Sequence, residues 1–110
     1  MTERPIIDRD HLARYTLGDR ALEREVLRLF VDQIPRTLEA LDTARNDADR
    51  VRAAHTLKGS AWAVGAVRLA DVAARLEREA REGRSIAGLR EELDQACREV
   101  DTAIVDATAA

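Results

Sequence analysis

Apolar residues recur at intervals of three and four along most of this chain, and this spacing constrains its fold more than any other feature. The longest such series is Leu22, Val26, Leu29, Phe30, Ile34, Leu38 and Leu41. Because an α-helix turns once in about 3.6 residues, a series of this kind lies along one side of a helix and predicts a core-facing stripe. Aromatic residues make up 3% of the chain, which has five glycines and two prolines, and this composition favours helices over a sheet. The sequence therefore predicts an all-α protein.

Residues suited to ending and starting helices divide the pattern into elements. Gly18, Gly65 and Gly83 follow apolar stripes, where glycine accommodates the left-handed backbone that ends a helix. Asp19 and Ser85 are suited to cap the helices that follow them. The predicted elements are a short helix at about residues 8–15 and long helices at about 19–45, 47–64, 67–82 and 86–106. Short loops force neighbouring helices to run antiparallel, so we expect a single domain over residues 1–110, an up-and-down four-helix bundle with the short helix across one end.

Two positions in the first half of the chain carry specific local predictions. Pro35 lies inside the second predicted helix, but the apolar spacing keeps its phase on both sides. We therefore expect one bent helix there rather than two helices. Asn46 is expected to end this helix in a left-handed conformation, and Asp47 is expected to cap the next helix.

Charge and hydropathy exclude several classes of partner. The 21 acidic and 18 basic residues give a net charge of -3 and are interspersed, so no basic stripe is available to follow a nucleic-acid backbone. Nowhere do about 18 apolar residues run together as a membrane span requires, and the start MTERPIIDRD is too charged for a signal peptide. Cys97 is the only cysteine, which excludes an internal disulfide and fits a reducing compartment. We expect a cytoplasmic monomer without nucleic-acid or membrane partners.

The third predicted helix carries two stripes instead of one. Ala54, Leu57, Ala61 and Val64 lie on one side and continue the core pattern of the other helices. A second set lies on the opposite side and is apolar or small apart from one histidine; its members are Ala48, Val51, His55, Gly59 and Trp62. An exposed apolar stripe is typical of a partner surface. Alternatively, Val51 and Trp62 pack against the short N-terminal helix.

His55 is the candidate reactive group of this second stripe. A neutral imidazole has a free lone pair on one nitrogen and is a nucleophile. Gly59, one turn later, removes a Cβ that would crowd a phosphoryl group arriving at the ring, although glycine costs the helix about 1 kcal/mol relative to alanine. Lys58 and Arg52, at i+3 and i−3, could place positive charge beside the phosphoryl oxygens.

Other chemistry fits these residues less well. A metal site needs several ligands, and no second histidine or cysteine lies one turn from His55. Ser60 points to the opposite side of the helix from His55, which argues against nucleophilic hydrolysis. His11, the other histidine, has no glycine one turn away and is expected to be a solvated residue of the short helix.

The stretch AAHTLKGSAWAVGA, residues 53–66, resembles the signature of histidine-containing phosphotransfer (Hpt) domains, which has the form A-H-x-L-K-G-x-x-x-x-x-G-A. The matching positions are Ala54, His55, Leu57, Lys58, Gly59, Gly65 and Ala66. The resemblance covers most of the chain, because the family has a short helix followed by a four-helix bundle, and LFVDQIPRTLEAL is similar to its preceding helix. Trp62 departs from the family, whose members commonly have a small residue at this position.

The resemblance implies a phosphocarrier that is not itself an enzyme. His55 would take a phosphoryl group from a receiver-domain aspartyl phosphate, or from a sensor histidine kinase that can be of the hybrid type, and pass it to the aspartate of another response-regulator receiver. The chain would need no cofactor of its own, since magnesium would sit on the receiver. Two alternatives stay open. One is an amino-terminal phosphotransfer module of a chemotaxis-type kinase, and the other is a helical adaptor or inhibitor that docks on a receiver or kinase without carrying phosphate.

Overall fold

Five α-helices build the protein, as seen in a computed structural model that describes residues 5–108, the side chains of 107 and 108 excepted. The helices are α1 (Arg9–Thr16), α2 (Arg20–Thr43), α3 (Asp47–Ala63), α4 (Val67–Arg81) and α5 (Ala87–Thr108). No strand occurs within residues 5–108, and the all-α prediction is confirmed. Each helix begins and ends within two residues of the range that the apolar spacing predicts.

The four long helices form an antiparallel bundle in which sequence neighbours are also neighbours in space. Helix α3 packs between α2 and α4, α5 packs on α4, and α5 returns to α2 to close the ring. Many core positions of α3 and α4 are alanines, which let these two helix axes approach closely. Helix α1 lies across one end and contacts α2 and α3.

The buried face of α2 agrees with the predicted one only in part. Leu22 and Leu29 belong to the predicted stripe, yet Leu29 is 58% exposed and Leu22 is also exposed. The side of α2 that faces its neighbours instead contains Glu23, Leu27, Phe30, Ile34, Thr37 and Leu41. Because α2 contacts helices on one side, the positions of α1, α3 and α5 decide which apolar residues are covered. Phe30, Ile34 and Leu41 belong to both the predicted stripe and the buried face, whereas Leu27 is buried in place of Leu29.

Pro35 and Asn46 test the local predictions for α2 and its end. Helix α2 continues through Pro35 without a break, and this proline is exposed. Asn46 does not end α2, so that prediction is wrong. Its backbone is extended, with φ −151°, and its side chain accepts a hydrogen bond from the Asp49 amide at 2.8 Å, so Asn46 is the N-cap of α3. An asparagine oxygen satisfies one of the free amides at a helix start, which explains this preference.

The turn between α3 and α4 anchors the short helix. Gly65 has φ +80°, and a Cβ built on it would lie 2.6 Å from the Asp8 carbonyl oxygen. The Asp8 amide donates to the Gly65 carbonyl at 2.8 Å, and the Asp8 side chain caps α1 by accepting from the His11 amide. Glycine is required here both by the left-handed backbone and by the close approach of the backbone at Asp8. This contact places α1 against the carboxyl end of α3.

Cys97 lies in the bundle core as a free thiol. Burial raises its pKa to about 11, and the nearby Asp101 and Asp94 act in the same direction. A thiol of this kind stays protonated and packs as a small apolar group. No helix among the described residues is both long enough and apolar enough to cross a membrane.

Candidate functional site

The second stripe of α3 faces away from the bundle core. His55 has 67% of its side-chain surface exposed, and Ala48, Gly59 and Trp62 are also exposed, while Val51 is half-buried. The core-facing residues Ala54, Leu57 and Ala61 of the same helix are buried, and so is Val64 at its C-cap. The two faces therefore lie where the sequence places them.

His55 is held by a carboxylate from the neighbouring helix. Glu77 of α4 is 6% exposed, and its Oε2 atom lies 3.3 Å from His55 Nδ1. Burial works to raise the pKa of Glu77, but the Lys58 and His55 groups beside it lower that pKa by more, so the pKa lies below its ordinary value. An ionised carboxylate can accept but not donate, so Nδ1 carries the hydrogen of this contact. In the neutral ring the lone pair then resides on Nε2.

Two cationic side chains also contact the Glu77 carboxylate. Lys58 Nζ lies 2.8 Å from Glu77 Oε1, as an ion pair rather than a well-oriented hydrogen bond. Arg81 Nη2 donates to Oε2 at 2.8 Å, the same oxygen that accepts from His55. With His55 neutral, two cations and one carboxylate leave one excess positive charge beside the exposed ring. Such a site favours an anion at that position.

Gly59 leaves the space next to the imidazole open. A Cβ built on this glycine meets no heavy atom within 4 Å beyond its own helix backbone and neighbours, and the position is exposed. The described fold therefore contains no contact that requires glycine here, in contrast to Gly65. The missing Cβ of Gly59 therefore frees space on the solvent side, where a molecule that approaches His55 would lie.

Comparison with known proteins gives one finding for this chain. A family model for the Hpt domain matches residues 25–103. The chain belongs to the Hpt domain family. The match contains all of α3 and α4 and so includes His55, Lys58 and Glu77. A comparison with curated proteins gives no match, and a comparison with solved structures gives none either.

Hpt domains take part in histidine phosphotransfer within phosphorelays, as phosphocarriers rather than enzymes. They interact with receiver domains and with histidine kinases of two-component systems. Among the described residues of this Hpt domain, no group of three or more histidine, cysteine, aspartate or glutamate side chains is arranged to hold a metal ion.

Arg52 and Ser60 lie on either side of the His55 face. Arg52 is exposed, and its Nη1 atom is 3.7 Å from Asp49 Oδ1, so this guanidinium pairs along its own helix. Ser60 accepts a hydrogen bond from Gln33 Nε2 at 2.9 Å and thereby links α3 to α2. In this Hpt domain Ser60 therefore serves the bundle and is directed away from His55, as the helical spacing predicts.

Trp62 contacts the short helix α1, as the second of the two interpretations of its position predicts. Its indole is 56% exposed, yet its ring centroid lies 5.4 Å from that of His11, with the planes tilted by 59°. His11 is half-buried, so the expectation of a solvated residue is wrong. The Gly65 turn brings α1 against the end of α3, and this placement puts the two rings together. The indole is thus both exposed and supported from one side.

Glu77 and Arg81 belong to the site but are not among the residues predicted from the sequence. A signal for Glu77 was present, because it lies four residues after Ala73 and three before Ala80, in phase with the buried stripe of α4. A charged residue at a core position needs a partner, and partners of this kind cluster at functional sites. Arg81 follows one turn after Glu77, at i+4.

Proposed function

We propose that this chain is a phosphorelay intermediate that carries a phosphoryl group on Nε2 of His55. The group arrives from the aspartyl phosphate of a receiver domain, or from a histidine kinase, and leaves to the aspartate of another receiver. The observation that carries the proposal is the pairing of an exposed histidine with the buried Glu77, since Nδ1 donates to the carboxylate and Nε2 is left facing solvent.

The phosphoryl group is transferred to His55 without release of a proton from the ring. The Nε2 lone pair attacks phosphorus, a P–N bond forms, and the P–O bond to the aspartyl carboxylate breaks with its electron pair on the departing carboxylate. The Nδ1 proton stays on the ring, where Glu77 continues to accept it. Glu77 is a positioning residue in this scheme, because it fixes the tautomer and the orientation of the nucleophile.

Lys58 and Arg81 supply the charge that the transferred group requires. Both pair with Glu77 in the unphosphorylated protein, at 2.8 Å each, and both side chains reach the surface. A phosphoryl group on His55 adds negative charge next to this pair of cations, where preorganised positive groups stabilise a phosphoryl in transit. Arg52 flanks the ring from the preceding turn, and magnesium is expected on the receiver.

Labelling tests the proposal directly. The protein is incubated with receiver domains of the same organism that have been phosphorylated with acetyl phosphate, and in parallel with phosphoramidate, a small donor that needs no docking surface. We expect one acid-labile label on the parent protein and none on His55→Gln. An acid-stable label, or label retained in His55→Gln, contradicts the assignment of His55.

Variants of Glu77 separate a positioning role from a structural one. Glu77→Ala removes the acceptor of the Nδ1 hydrogen bond and should slow labelling by about 10- to 150-fold, since a hydrogen bond to a charged group contributes about 1.5–3 kcal/mol. Glu77→Gln keeps an acceptor oxygen and should recover part of that rate. A parent-like rate in Glu77→Ala contradicts the role of Glu77. Receiver binding without any label in the parent protein favours the adaptor alternative.

A further inference from the structure

A surface groove lies between α2 and α5, on the side of the helix ring opposite the contact between α3 and α4. Its volume is about 620 Å³, and its walls include Ala21, Arg24, Val31, Asp101, Ile104 and Val105. Val105 is 64% exposed, so the groove offers apolar surface to water. The lining also contains charged groups of both signs, and their positions along the groove decide what can bind there.

The hydrogen bonds from Arg90 to Asp42 fix the register of the two antiparallel helices. Both helices rise by about 1.5 Å per residue, so each step toward the start of α2 corresponds to one step toward the end of α5. Asp101 therefore lies at the level of Val31, since each is eleven residues from the Arg90–Asp42 contact. Arg24 is seven residues nearer the start of α2, about 10 Å from the level of Asp101. The groove thus has a cation at one end and a carboxylate at the other.

Neither of these two charges is neutralised within the described part of the chain. The Arg24 guanidinium and the Asp101 carboxylate form no ion pair with any residue that the structure describes. Burial raises the pKa of Asp101, which is the response of a carboxylate without a nearby cation. Arg28, which lies between them, pairs with Glu25 of its own helix, so the middle of the groove carries no net charge. A partner with the opposite charges at the same spacing would satisfy both ends.

We propose that the α2–α5 groove is the interface of a two-fold symmetric dimer and that its occupant is a second copy of this chain. A two-fold axis that crosses the groove near Arg28, at right angles to the helices, stacks the two copies with their α2 helices antiparallel. Arg24 of one copy then lies at the level of Asp101 of the other, because this axis exchanges the two ends of the groove. The same pair forms a second time by symmetry, and Val31 and Val105 of both copies are covered between the two pairs.

Self-complementarity favours a second copy over an unrelated partner. A two-fold interface needs each charge to meet its opposite at the symmetry-related position, and Arg24 and Asp101 meet this requirement within one chain. The groove lies across the helix ring from the contact between His55 and Glu77. Both reactive histidines of the dimer therefore stay exposed, and the inference does not depend on the proposed function. The expectation of a monomer came from the sequence, in which neither the groove nor its register is visible.

Charge reversal tests the dimer and its register together. Sedimentation velocity of the parent protein at about 1 to 500 µM should show a dimer whose fraction rises with concentration. Arg24→Asp and Asp101→Arg should each raise the dimer dissociation constant by about tenfold or more, because every dimer loses two ion pairs and gains two like-charge contacts. The two changes combined in one chain should restore the constant to within about threefold of the parent value.

Glu91→Arg is the control, because Glu91 is an exposed acid of α5 outside the lining of the groove. It should change the dissociation constant by less than about twofold. Thermal melts by circular dichroism check that the variants fold, and if Asp101→Arg does not, Arg24→Asp at an exposed position decides the question alone. A parent protein that stays monomeric over this range, or single reversals that dimerise like the parent, overturn the inference. An equal loss in Glu91→Arg, or a folded double variant that does not recover, also overturns it.

Discussion

His55 depends on a residue 22 positions away in the sequence for its tautomer. Glu77 accepts from Nδ1, so Nε2 is the nitrogen that the ring presents to solvent. Gly59 contributes in a different way, since it makes no contact in the fold and no neighbour would obstruct a Cβ there. Glycine at this position costs helix stability, and packing within the fold does not require it. We therefore attribute it to a requirement of a molecule that binds transiently beside His55.

Substitution of Gly59 by alanine should move stability and activity in opposite directions. The free energy of unfolding should rise by up to about 1 kcal/mol, because alanine has the higher helix propensity and the fold has room for the methyl group. Transfer to His55 should become slower because the methyl group crowds the incoming phosphoryl. Denaturant melts and labelling rates measure the two effects.

Gly88→Ala is the control for this prediction. Gly88 also lies in a helix, α5, and a Cβ there also meets nothing within 4 Å. Its replacement should leave the transfer rate unchanged. If the Gly59→Ala protein is labelled as fast as the parent, the absence of a side chain at position 59 has no steric role.

At the scale of elements, α1 acts as a brace for the exposed end of α3. The Asp8 to Gly65 hydrogen bond fixes the start of α1, and the Thr16 hydroxyl, which lies 3.3 Å from Glu23 Oε1, ties its end to α2. His11 then packs against the indole of Trp62. A short helix with little core of its own thereby controls the position of a large side chain on the exposed face of α3.

Trp62→Ala should weaken receiver docking while it leaves the fold largely intact. An indole that is 56% exposed loses part of its packing on truncation, so the unfolding free energy should fall by well under the roughly 3–5 kcal/mol of a buried tryptophan. The labelling rate at limiting receiver should fall, since tryptophan is common among interface hot spots. Tyr15→Ala, at an exposed aromatic of α1, is the control for surface truncation. A large loss of stability with unaltered labelling would instead place Trp62 in the core.

At the scale of the whole molecule, ion pairs link helices around the bundle. Arg90 of α5 binds Asp42 of α2 through two hydrogen bonds, of 2.7 and 2.8 Å, and closes the ring of helices on one side. The hydrogen bond from Arg90 is the main cause that lowers the pKa of Asp42. Glu77 links α4 to α3 in a comparable way, with its pKa also lowered. Asp101 behaves oppositely, because burial raises its pKa.

These shifts predict a protein that loses stability in acid. A carboxyl whose pKa is lower in the folded state stabilises the fold above its unfolded value, 3.8 for Asp42 and 4.5 for Glu77, and this contribution is lost as pH falls through the folded value. Asp101 opposes the trend in the same range, since protonation favours the folded state for a raised pKa. We expect the unfolding free energy to decline below about pH 4.5 and the decline to be shallower in Asp42→Asn and in Glu77→Gln. Urea melts from pH 7 to pH 3 measure this slope, and variants with the slope of the parent would refute this origin.

The sequence by itself determined the features that depend on the geometry of one helix. Spacing of three and four residues gave the all-α class, the helix ranges and the two faces of α3, with His55 on the exposed one. These features are local, because each depends on backbone hydrogen bonds and side-chain directions within a few turns. The glycine turns are local in the same sense, since a positive φ at Gly65 and Gly83 is a property of the residue itself.

Tertiary structure alone decided which residues meet across helices. The Glu77 contact to His55, the packing of His11 on Trp62 and the burial of Leu27 in place of Leu29 all depend on how each helix is rotated and shifted along its neighbour. A single helix does not encode its rotation relative to another, because several faces of similar hydrophobicity can turn inward. Close packing of the whole bundle selects one rotation, and that selection places the buried carboxylate under the exposed histidine.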